Sequence, residues 1–159
     1  LEERGISRPP GVAVVMASYA QGVPPVLTRL TDKLQVLPRT VLLLTVQTVH
    51  QPQVPAAGRT RVETLGQGLH RVVVHYGFME AYHIPSAITE ALVGLGLQAA
   101  PEQVLYLVGH ETFVAGARGA MGVVSESLFA FLSRNARNAV DYFGIPPEQV
   151  VEIGARMDL

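Results

Sequence analysis

A chain of 159 residues with a formal net charge of −1 is long enough for one domain with a real core. Only 16% of its residues are charged against 48% hydrophobic, and its basic residues are scattered, which argues against nucleic acid, because phosphate neutralisation needs clustered Lys and Arg. The absence of cysteine rules out disulfides, a thiolate nucleophile and any Cys-based metal site.

The N-terminal stretch LEERGISRPP has no apolar run. It reads as a linker over residues 1–10 leading from a missing upstream region into a single domain over residues 11–159. VAVVM (12–16) is then continuously apolar, as a strand buried on both faces should be. In GVPPVLTRLTDKL, Pro24 and Pro25 suit the first turn of a helix, and Leu27, Leu30 and Leu34 recur at helical spacing. VLLLTV (41–46) supplies the next buried strand, completing a βαβ unit. It is far short of the ~20 apolar residues that a membrane helix needs.

VQTVHQPQVPAAGRT predicts a Pro-containing loop. The alternating segments flanking Gly66-Gln67-Gly68 predict a β-hairpin. Ile88, Ala91, Leu92 and Leu95 mark a helix starting near Pro85 or Ser86. VLYLV (104–108) is a further buried strand. GARGAMG (116–122) breaks regularity before a long helix carrying Val124, Leu128, Phe131, Leu132, Asn135, Ala139 and Phe143 on one face. Gly144 stops that helix, being free to take the left-handed conformation. From Val151 to Leu159 apolar and polar residues alternate, predicting a strand with Ile153, Met157 and Leu159 toward the core. The expected order is β-α-β-β-β-α-β-α-β: an α/β fold with a mixed, partly parallel sheet and flanking helices.

Two places hold side chains able to move a proton. Glu80, Tyr82 and His83 lie between a strand and a helix, and without a positioned third group they read as surface or capping residues. Gly109-His110-Glu111 follows an apolar strand, and Ser18 and Tyr19 follow the first one. These are the strand ends where open α/β sheets bind ligands. Ser18, Tyr19, His110 and Glu111 therefore make a candidate small-ligand site, with a nucleotide as one candidate effector. A small hydrolase or transferase using His110 and Glu111 is the enzyme alternative, with a turn at these residues the plainer reading. The histidines form no i, i+4 pair and no HxH, so no zinc site is expected. There is no Walker A, dinucleotide or G-x-S-x-G motif. No catalytic residue, metal or cofactor is expected.

Longer strings carry more. GVPPVLTRLTDKL, PRTVLLLTV, RVETLGQGLHRVVVHYGFMEAYHIPSAI, YLVGHETF and LFAFLSRNARNAVDYFGIPPEQVVEIGARMDL follow one another from about Pro10 to Leu159. They resemble the C-terminal cytosolic region of the KUP/HAK/KT potassium-uptake transporters, with YGFME, FLSRNA and IPPEQVVEIG where that family has them. The Tyr82-His83 pair departs from the more acidic stretch that many bacterial members carry there. The resemblance implies a non-catalytic regulatory or assembly domain of a proton-coupled potassium transporter. Its expected partner is its own transmembrane transport domain, at the cytoplasmic face of the membrane; the low charge content adds a second copy, in a two-fold homodimer, as an expected partner. Potassium would be handled by the missing membrane part, and YGFMEAYHIP becomes a structural junction.

Overall fold

A computed structural model describes residues 5–17, 22–109 and 141–153. Six strands form one mixed sheet in the order β3-β4-β2-β1-β5-β6. They are β1 (Val12–Met16), β2 (Thr40–Val49), β3 (Thr60–Gly66), β4 (Leu69–Gly77), β5 (Val104–Gly109) and β6 (Val150–Ile153). Only the β3–β4 hairpin is antiparallel; the other neighbours run parallel. The expected α/β class, with a mixed sheet and flanking helices, is what the chain adopts.

The apolar runs make the central strands because both faces are covered. On one face Ala13, Val15, Val41 and Leu43 pack against Val26 and Leu27 of α1 (Pro25–Arg29). On the other, Val14, Leu42, Leu44 and Val72 pack under α3 (Ile84–Gly94), which contributes Ile84, Ala87, Ile88, Ala91 and Leu92. Strand side chains alternate between faces, so a strand covered twice must be apolar at every position. All five residues of β1 are buried. Pro24 is the N-cap of α1 and Pro85 lies in the first turn of α3, where a missing N–H costs no helical bond.

Four features differ from, or refine, the sequence reading. After Arg29 the helix widens into a π-helical turn, Leu30–Leu34, closed by Gln35 with φ 51°. The wider turn rotates Leu34 off the apolar stripe, leaving it 63% exposed. Second, the segment expected as one loop splits. β2 continues to Val49, and a single turn, α2 (Ala56–Arg59), precedes β3. Third, β6 lies at the sheet edge. Ile153 is half-buried against the α1-side core while Val151 is 44% exposed. Fourth, Ser7 bridges to Val36, and Arg39 donates its backbone N–H to the Pro9 carbonyl at 2.8 Å. Gly144 adopts φ 63° as expected, and Phe143 is buried in the α3-side core. The rest of the expected long helix, GARGAMG and residues 154–159 lie outside the described residues.

Candidate functional site

The C-terminal ends of β1, β2, β4 and β5 share one edge of the sheet, because these strands are mutually parallel. β1 and β5 are direct neighbours, with Val15 paired to Leu107. The connection leaving β1 through α1 lands on one side of it, and the one leaving β4 through α3 lands on the other. The strand order reverses between them, which is the usual place for a ligand crevice in such sheets. Ser18, Tyr19, His110 and Glu111 lie outside the described residues.

Along the same edge, the exits of β2 and β4 are clamped by a carboxylate. Gly77 and Glu80 close a turn, the Glu80 N–H donating to the Gly77 carbonyl at 3.1 Å. The Glu80 carboxylate accepts the backbone N–H of Gly77 at 2.6 Å and that of Val54 at 3.0 Å. The Arg59 guanidinium pairs with its other oxygen and donates to the Val54 carbonyl at 2.8 Å. Phe78 and Met79 add backbone bonds to the Gln51 and Pro52 carbonyls. Gly77 permits this approach: a Cβ there would sit 2.2 Å from the Pro52 carbonyl oxygen.

The electrostatics match a structural role. The Gly77 N–H, then the Val54 N–H and the Arg59 charge, hold the Glu80 carboxyl below its ordinary range, although partial burial opposes them. A carboxylate with its oxygens so committed is a poor general base. Burial raises the Tyr76 phenol above its ordinary value, with the His83 N–H and the Arg59 charge opposing. Its oxygen accepts that N–H at 3.1 Å, and Arg59 stacks over its ring at 5.2 Å.

Tyr82 completes the junction. Its ring lies 4.8 Å from those of both Tyr76 and Tyr142, and 5.6 Å from Phe143. Its hydroxyl is 2.7 Å from Thr48 Oγ1. Phe143 accepts the first N–H of α3, from Ile84, at 3.1 Å. His83 is exposed, with Nδ1 2.8 Å from Ser86 Oγ. YGFMEAYHIP therefore joins the end of β4, the 50–55 loop, α3 and the 141–145 segment. Of the surface and capping readings of Glu80, the capping one holds, since its carboxylate caps the Gly77 and Val54 N–H groups. The sequence signal that could have flagged it is Glu three residues after a strand-ending Gly. Its partners Val54 and Arg59 are 26 and 21 residues away and carry no local signature.

A family model described as the K+ potassium transporter C-terminal domain matches residues 10–159. This chain belongs to that family. Among its relatives, the probable potassium transport system protein Kup 1 of Syntrophobacter fumaroxidans is 42% identical over 159 residues, covering 99% of this chain and 24% of that protein. The probable Kup protein of Myxococcus xanthus is 43% identical over 152 residues, covering 96% and 23%. The potassium transporter C-terminal domain thus spans about a quarter of the length of these relatives. No solved structure matches. Among the described residues, no helix of this domain is long and apolar enough to cross a membrane.

Proposed function

We propose that this chain is a non-catalytic regulatory or assembly domain on the cytoplasmic side of a proton-coupled potassium uptake transporter. Residues 1–10 would link it to a transmembrane part that handles the ion. The observation that carries this reading is the family match over residues 10–159, together with relatives named for potassium transport that are about four times as long. The Glu80–Arg59 pair supports a structural rather than catalytic use of charge. The reading frame upstream of Leu1 tests the proposal. Several apolar spans of roughly 20 residues there support it; a frame without them contradicts it.

A second reading makes the domain a sensor of a small ligand, with a nucleotide as the candidate effector. What favours it is the reversal of strand order between β1 and β5, the position where such sheets bind ligands. Ser18, Tyr19, His110 and Glu111 follow those two strands in sequence. A nucleotide that raises the melting temperature, and fails to do so after His110→Ala, would support sensing. A flat response across nucleotides would remove it.

A further inference from the structure

β3 ends the sheet, and among the described residues nothing pairs with its outer edge. An unpaired edge of regular strand invites a second chain, and many proteins block this with inward charges, proline or a bulge. The bulge here falls beyond Thr64, so Thr60 to Thr64 keeps regular register with β4. That five-residue segment reads Thr-Arg-Val-Glu-Thr. Arg61, Glu63 and Thr64 are exposed, and Thr60 and Val62 are half-buried.

We propose that this edge pairs antiparallel with β3 of a second copy of the chain, centred on Val62, which gives the assembly reading above a defined surface. A two-fold axis through an antiparallel pair sets one residue opposite its own copy. With Val62 at the centre, Arg61 stands opposite Glu63 of the second copy on both sides of the axis, and Thr60 stands opposite Thr64. Facing opposite charges, β-branched pairs and Thr–Thr pairs are the combinations that stabilise neighbouring strands. Moving the centre by one residue, to Arg61 or to Glu63, places like charges face to face, and only the Val62 centre sets both Arg61 residues opposite Glu63.

The two sides of the joined sheet agree with this arrangement. Within one copy Arg71 donates to Glu63 at 3.1 Å, directly across from it in β4. In the pair each Glu63 lies between that Arg71 and Arg61 of the second copy. On the opposite side Val62 packs against the α3-side core next to buried Val72. The seam would run Val72, Val62, Val62, Val72, joining the two cores through a twelve-stranded sheet.

Sedimentation equilibrium of the 159-residue chain and charge-swapped variants tests the proposal, with circular dichroism to verify folding. The wild type is expected to dimerise. Arg61→Glu and Glu63→Arg should each weaken the dimer by about tenfold or more, and the double variant should restore it. Because the chain has no cysteine, Val62→Cys gives a second readout. Residues facing across antiparallel strands are about 4.5–5.5 Å apart at Cα, within disulfide reach. Mild oxidation should crosslink Val62→Cys but not Leu65→Cys, whose copies would be roughly 20 Å apart. A dimer unmoved by either single swap overturns the β3 surface and leaves assembly through another face. A wild type that stays monomeric to about 1 mM overturns both this surface and self-assembly by the domain.

Discussion

Glu80 and Gly77 act together, one by what it accepts and the other by what it lacks. Glu80 is 13% exposed at its side chain, and its carboxylate collects two backbone N–H groups and Arg59. Truncation to Ala leaves Val54 N–H, Gly77 N–H and the Arg59 charge without that acceptor. Glu80→Ala should therefore lower the urea midpoint clearly more than His83→Ala, whose loss should be about 0.5 kcal/mol or less. Equal midpoints would mean that the clamp contributes nothing. Gly77→Ala should cost on the order of 3 kcal/mol, since a methyl group would meet the Pro52 carbonyl rather than a flexible side-chain tip. A midpoint matching the wild type would show that the 50–55 loop yields freely.

Among the described residues, two groups contribute to the acid response at this same scale, in separate windows. His70 is buried, with Nδ1 3.1 Å from Thr64 Oγ1, and burial lowers its pKa from 6.5. The unfolded chain then takes up the proton first, so stability starts to fall as pH drops through 6.5. Glu80 is also held below its ordinary 4.5, so its contribution is complete above that value and lost as pH falls through its folded pKa. In urea midpoints against pH, His70→Gln should flatten the upper window and Glu80→Gln the lower one. A slope unchanged in its own window would contradict that residue's assignment.

At the scale of elements, packing decides which segments tolerate change. Ile88 is buried in the middle of α3 and Val93 is 69% exposed near its end. Ile88→Ala should cost about 2–5 kcal/mol, and Val93→Ser should stay within about 0.5 kcal/mol, in urea unfolding. A reversed order would mean that α3 packs with another face. The elements covered on both sides were legible in the sequence, because VAVVM, VLLLTV and VLYLV are apolar almost throughout; only Leu105 of the third, in β5 next to the edge strand β6, is exposed. The hairpin was legible from alternation around Gly-Gln-Gly, and the stop at Gly144 from its freedom at positive φ. The π-helical turn was not, since Leu27, Leu30 and Leu34 keep α-helical spacing and only the turn width exposes Leu34. The Glu80 clamp was hidden for a different reason: its partners come from a loop and a helix end far away in the chain. The strands that precede the ligand candidates in sequence are the neighbours β1 and β5.

At the scale of the whole molecule, the domain is a sheet covered on both faces at its centre, and its Glu80–Arg59 pair serves structure. The isolated chain should therefore show no difference between KCl and NaCl in calorimetric titration, because potassium selection needs rings of oxygens that replace a hydration shell. A saturable potassium-specific heat would move ion handling into this domain. Most direct for the central claim is rubidium uptake by a full-length relative, such as the Myxococcus xanthus protein, in cells lacking their own potassium uptake. Its C-terminal quarter would be either deleted or replaced by this chain. The account predicts that deletion lowers or deregulates uptake at equal membrane abundance and that the replacement restores it. Uptake indifferent to the deletion, or not recovered by a folded replacement, would contradict it.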